Sequence, residues 1–292
     1  MTRPFWIVLG LALWLSGPCR AADDVDVALV LVTDVSRSID DSEYKLEKEG
    51  YAAAFLSGKV LSAIRGGPAG AIAVAYVEFA SAFEVRTVLD WTTIRDEASA
   101  RDFVARLTAA PRSFWGRTAI GVGIDHAAAM LARTGFETPR RVIDVCGDGT
   151  NNTGRDVAAA RDDAVAAGIV VNGLAIVNEN PTSWTFAHVQ PPGGLPNYYR
   201  ENVTGGPGAF VLEIRDFRTF GEAMTRKLVA EIAGLPPVER LAVQRANWTT
   251  PHWTNDMGAD MFPDENHGSN TDGNPQSRPV RSSRFGDRSG LQ

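Results

Sequence analysis

The chain has 292 residues, of which 44% are of hydrophobic type and 22% are charged. This ordinary globular composition can build one substantial core or two modest ones, and it excludes wholesale disorder and a polytopic membrane protein. Asp and Glu number 35 against 29 Lys and Arg, a formal charge of −6, so no basic surplus exists to neutralise phosphates and a nucleic-acid binder is not expected.

Residues 1–21 read as a secretory signal peptide. Arg3 precedes an unbroken apolar run over 5–15, followed by Ser16, Gly17 and Pro18. A membrane-spanning helix needs roughly 20 apolar residues, so the run is too short for a stable span. Cleavage after Ala21 predicts an exported chain, periplasmic or secreted; the alternative is a retained N-terminal anchor. Cys19 would leave with the leader. Cys146 lies in an apolar run and reads as buried and inert.

Residues 22–236 read as one α/β domain. Residues 25–33 are nearly continuously apolar, as in a strand covered on both faces. A helix is expected over 42–57, opened by Asp40 and Glu43 in capping-box spacing. Its small apolar stripe is Leu46, Gly50, Ala53 and Ala54. Strands follow at 71–79 and, as a shorter hairpin partner, at 84–89. Helices are expected at 96–109 and 118–133, a buried strand at 142–146, and a helix at 153–167. The last expected elements are strands at 169–177 and 209–214 and a helix at 217–232. Strands alternating with helices predict a doubly wound, mostly parallel central sheet flanked by helices. Pro236-Pro237 closes the pattern. Residues 237–292 read as a mostly disordered tail.

Open α/β sheets bind ligands at the carboxyl ends of their strands. Asp34, Ser36 and Ser38 follow the first strand, Thr118 opens a later helix, and Asp148 follows the strand at 142–146. All carry hard oxygen donors. Such donors without His or Cys select Mg²⁺, Mn²⁺ or Ca²⁺ over zinc. Two formal charges among five residues would leave a divalent ion electrophilic, with an open position suited to a carboxylate from a partner. The bland alternative makes Asp34, Ser36 and Ser38 capping and turn residues, Thr118 a helix cap and Asp148 part of a turn.

This arrangement resembles the metal-ion-dependent adhesion site of von Willebrand factor type A (VWA) domains. There the first motif is Asp-x-Ser-x-Ser, matched by Asp34, Ser36 and Ser38, with a later Thr matched by Thr118 and a distal Asp by Asp148. The resemblance implies a doubly wound VWA fold over residues 23–232. It also implies that the Ser and Thr side chains are the usual direct or near-direct ligands, the Asp residues often acting through water. Residues 142–152 and 198–210 are similar to a family of exported bacterial VWA-like proteins of unknown function. That family often has Ser where Cys146 stands.

Other chemistry finds less support. The chain has no P-loop, no His-Glu-x-x-His and no Gly-x-Ser-x-Gly. Asp148, Thr150 and Asn152 imitate an EF-hand start, but Thr153 and Ala159 stand where Gly and Glu are required. Asp144, inside a buried strand, reads as a structural hydrogen-bonding group. His126 reads as packed or surface. The long loop over 178–196 carries Trp184, Phe186 and His188; with Trp115 these could wall the ion and touch a partner, or only cover the sheet edge.

Lacking a nucleophile–base pair, the chain reads first as a binding module in which a divalent cation, Mg²⁺ before Mn²⁺ or Ca²⁺, captures an acidic group of a partner protein. The alternatives are a metal-dependent hydrolase with His188 as its base and a metal-independent scaffold.

Overall fold

The computed structural model describes residues 24–177 and 191–235. The expected signal peptide, the expected tail, and Trp184, Phe186 and His188 lie outside the described residues. Six strands form one sheet in the order β3-β2-β1-β4-β5-β6. Strands β1 (Ala28–Asp34), β2 (Ile72–Phe79), β4 (Arg141–Gly147), β5 (Ile169–Ile176) and β6 (Val211–Ile214) run parallel. Only β3 (Val85–Ile94) is antiparallel, paired with β2 as a hairpin. It is longer than expected and half-exposed along the edge.

The continuous apolar runs of β1 and β2 have a direct cause: both faces of the sheet are covered. Leu29 and Leu31 of β1 enter one core and Val30 and Val32 the other. The first core is covered by α1 (Asp41–Phe55), α2 (Gly58–Arg65), α3 (Glu97–Ala109) and α7 (Phe220–Ala233). The second is covered by α4 (Ile120–Ala132) and α5 (Val157–Ala166). Tyr51, Phe55, Phe103 and Phe220 are buried in the first core, each stabilising the fold by roughly 1.5–3 kcal/mol. Helices α1 and α7 meet at Gly50 and Gly221, where a Cβ on Gly50 would lie 2.4 Å from Phe220 and 3.0 Å from the Gly221 nitrogen.

Several elements depart from the sequence expectation. The capping box of α1 is present, with Asp40 accepting from the Ser42 and Glu43 amides and Glu43 accepting from the Asp40 amide. Its buried face, however, is Glu43, Glu47, Lys48, Gly50, Tyr51, Ala54 and Phe55; Leu46 is half-buried and Ala53 exposed. Charge did not point this face outward because Lys48 donates to the Leu107 carbonyl at 3.0 Å and lies 3.5 Å from Glu78. Helix α2 was not expected; Ser57 caps it, accepting from the Val60 amide. Helix α5 starts at Val157 rather than 153, with Asp156 as its cap, so residues 148–156 stay a loop. Helix α6 (Leu195–Tyr198) and the π-helical turn Tyr199–Val203 fill a stretch that had no expected element.

Candidate functional site

Strands β1 and β4 are parallel neighbours, so the loops that follow them leave the same edge of the sheet. Asp34 is the last residue of β1. Its Oδ1 accepts from the Ser36 amide at 2.8 Å, a side-chain-closed turn that bends the chain back across the strand end. The Ser36 and Ser38 hydroxyl oxygens are then 2.9 Å apart. Ser38 donates to Asp148 Oδ1 at 2.9 Å, and Thr118 Oγ1 donates to Ser36 Oγ at 3.2 Å. All five side chains are buried. Thr118 does not cap α4: the helix begins at Ile120, and Ala119 holds the cap position with no side-chain bond.

The loops are fastened by residues that the sequence did not single out. The Arg112 guanidinium donates to the carbonyls of Val35, Ser36 and Ile39 at 2.8–2.9 Å and to Phe114 at 3.0 Å, clamping the 35–39 and 110–119 loops together. Nothing in its spacing marks it, because these acceptors are main-chain carbonyls and its one carboxylate partner, Asp41 at 3.3 Å, lies 71 positions away. Asn152 exchanges two hydrogen bonds with Thr118, its amide donating at 2.9 Å and its Oδ1 accepting at 3.1 Å. The Asn151 side chain accepts from the Gly121 amide, and the Asn151 main-chain amide donates to Tyr198 Oη at 3.1 Å. The adjacent asparagines thus join the β4 loop to the start of α4.

Beneath the ring lies a second polar layer. Gly147 permits it: a Cβ there would stand 2.8 Å from Tyr199 Oη and 2.9 Å from the Asp34 Cβ. The Tyr199 hydroxyl is buried and has no hydrogen-bond partner among the described residues. Burial, then the nearby Asp34 charge, pushes its pKa far up. Cys146 donates to Glu47 Oε1 at 3.6 Å, and both are buried. Burial first, then the charges of Asp34 and Asp148, holds the Glu47 carboxyl well above the usual carboxylate range. Burial likewise raises the Cys146 thiol.

Among the described residues no group of three or more His, Cys, Asp or Glu has the arrangement of a metal cluster. The ring has another composition, three hydroxyls with two carboxylates, which suits a hard cation and not a thiophilic one. The buried Tyr199 hydroxyl without a partner beside Gly147 fits a layer built to meet an ion or its water. Trp115 is 58% exposed on the neighbouring loop and stacks over the Arg112 guanidinium at 5.1 Å.

Asp144 points away from this chemistry. It lies in the middle of β4, four residues before Asp148, and 2.7 Å from the fully buried Lys227 amine. Lys227 also bonds Glu231, whose Oε1 accepts from Asn172 at 2.9 Å. His126 is bonded to Thr87 Oγ1 at 2.8 Å. No described helix is long and apolar enough to cross a membrane.

The family model described as "Protein of unknown function (DUF1194)" matches residues 24–236. No curated protein matches the chain in sequence. Among solved structures, two crystal structures of proximal thread matrix protein 1 from the mussel byssus are similar. One is 16% identical with a TM-score of 0.51, covering 73% of this chain and 49% of that one. The other is 17% identical with a TM-score of 0.50, covering 73% and 48%. A von Willebrand factor type A structure from Catenulispora acidiphila is 18% identical, covering 72% of this chain and 43% of that one, with a TM-score of 0.45. The chain thus spans about half the length of the mussel protein.

Proposed function

The chain belongs to the DUF1194 family and has a VWA-like fold, and on that premise we propose that it is a binding module holding a divalent cation on Asp34, Ser36, Ser38, Thr118 and Asp148. One observation carries the proposal. Three hydroxyls and a carboxylate from three separate loops converge, buried and linked by hydrogen bonds in the series Thr118–Ser36–Ser38–Asp148, at the β1/β4 edge. Packed hydroxyls on their own have little reason to converge there, whereas a hard cation needs such donors.

The protein's contribution is to fix the donors. Asp34 shapes the turn that presents Ser36 and Ser38, Arg112 holds that turn to the Thr118 loop, and Asn151 and Asn152 hold the Asp148 loop. The ion, when bound, supplies an electrophilic position for an acidic group of a protein partner. Mg²⁺ suits the donors best, with Mn²⁺ and Ca²⁺ able to replace it. The leader-like residues 1–21 fit a module that works outside the cytoplasm, in the periplasm or beyond the cell.

The test is titration calorimetry of the protein with Mg²⁺, Mn²⁺ and Ca²⁺, beside Asp34→Ala, with and without acetate as a carboxylate stand-in. Saturable binding that Asp34→Ala abolishes is expected. No heat with any of the three ions, even with acetate present, refutes the proposal.

A further inference from the structure

Two exposed aromatics stand on loops that are fastened to those carrying Ser36 and Thr118. Among the described residues only Phe83, Trp115 and Leu235 are large exposed hydrophobics. Phe83 is 99% exposed at the tip of a turn, where the Glu84 amide donates to the Ser81 carbonyl at 2.9 Å. That turn is fastened to the 110–119 loop: Ser81 Oγ accepts from the Arg117 amide at 2.8 Å, and the Ala119 amide donates to the Ala80 carbonyl at 2.8 Å. The Arg37 amide donates to the Gly116 carbonyl at 3.0 Å. Phe83 and Trp115 therefore stand on two loops joined to each other and to the segments bearing Ser36 and Thr118. A phenyl group held in water on a pinned turn is unfavourable for the free protein. It gains when an apolar side chain covers it.

Charge narrows the partner further. Outside the ring, residues 35–39, 80–86 and 110–119 carry four arginines (Arg37, Arg86, Arg112, Arg117) and one carboxylate, Glu84, in a chain whose formal charge is −6. Arg112 is committed to main-chain carbonyls and to Asp41, 3.3 Å away, and Glu84 accepts from the Ser81 amide at 3.0 Å. Arg37 and Arg117 are exposed. Next to these two guanidinium groups a second acidic side chain of the partner is attracted and a basic one repelled.

We propose that this rim selects a protein segment carrying an apolar residue and a second acidic residue next to the acid that reaches the ion. The apolar residue packs between Phe83 and Trp115, and the second acid faces Arg37 and Arg117. This rests on the divalent-cation reading above and adds the composition of the partner.

The experiment selects disulfide-constrained peptides displayed on phage against the immobilised protein in Mg²⁺. Affinities of the enriched peptides are then measured on the wild type, Phe83→Ser/Trp115→Ser, Arg37→Ser/Arg117→Ser and Asp34→Ala. Enrichment of Asp or Glu beside Leu, Ile or an aromatic, with Lys and Arg depleted, is expected. The aromatic double variant should bind those peptides at least tenfold more weakly while its Mg²⁺ titration is unchanged. The arginine double variant should also weaken binding and flatten its salt dependence. Enriched sequences that are basic or lack an apolar residue overturn the inference, as does the absence of any acidic–apolar enrichment. Metal-dependent binding that ignores Phe83 and Trp115 overturns the rim alone. Binding that survives EDTA and Asp34→Ala instead overturns the cation reading and leaves the aromatic surface standing.

Discussion

Lys227→Met measures how far the fold depends on a charge with no access to water. The amine is fully buried, 2.7 Å from Asp144 and bonded to Glu231, and it sits over the Phe210 ring at 5.1 Å. At 2.7 Å and an effective dielectric near 20, the gross attraction to one carboxylate is about 6 kcal/mol. Removing the amine leaves two buried carboxyls that must take up protons or remain uncompensated, and the net loss expected is about 3–5 kcal/mol at pH 8. Its pH dependence follows from Glu231. Burial, then Asp144, already pushes that carboxyl from 4.5 up to about 7. Between those values the folded wild type holds more protons than the unfolded chain, so wild-type stability falls as pH rises through that window. Without Lys227 both carboxyls rise further, so the variant's deficit should be largest at pH 8 and shrink toward pH 5. Urea unfolding followed by tryptophan fluorescence at the two pH values reads this directly. A deficit below about 1 kcal/mol at pH 8, or one equal at both pH values, refutes the account.

Other substitutions probe the site and its supports. Thr118→Ala should weaken Mg²⁺ binding in calorimetry about tenfold while moving the unfolding midpoint little, because Thr118 bonds Ser36 and does not cap α4. Gly147→Ala should cost about 1–3 kcal/mol of stability and also loosen metal binding, since the new Cβ meets Tyr199 Oη and Asp34; denaturant titration with unchanged stability would contradict it. Cys146, buried and with its thiol pKa raised, should resist a thiol-reactive chromophore in the native protein and react fully in denaturant.

How much of this was legible in the sequence depended on whether the relevant contacts were local. Strand β1 announced itself because burial on both faces demands a nearly unbroken apolar run, and β4 kept that character on either side of Asp144. Asp34, Ser36 and Ser38 stood out because strand ends are where ligands bind, and the Asp40–Glu43 box because its partners are three residues apart. The rotation of α1 was hidden, since Glu47 and Lys48 are buried only by virtue of Cys146, Glu78 and Leu107, each far away in the chain. Arg112 was invisible for the same reason. Asp144 could be read as structural, but its partner Lys227 lies on a helix 83 positions later that looked merely amphipathic. Phe83 gave no signal either, because exposure is a property of the fold and not of the residue.

The Ser38–Asp148 bond spans 110 positions of chain. Neither partner can find the other until β1 and β4 lie side by side, although β2, β3 and α1 to α4 separate them along the chain. The ring is therefore assembled from loops of high sequence separation, whose closure entropy has to be met before their contacts can form. An ion taken up there would have almost nothing to hold in a nascent or half-folded chain, unlike a finger domain whose ligands are near neighbours in sequence. Its occupancy would thus report that a molecule is complete, and the ion would lengthen the native lifetime without hastening its arrival.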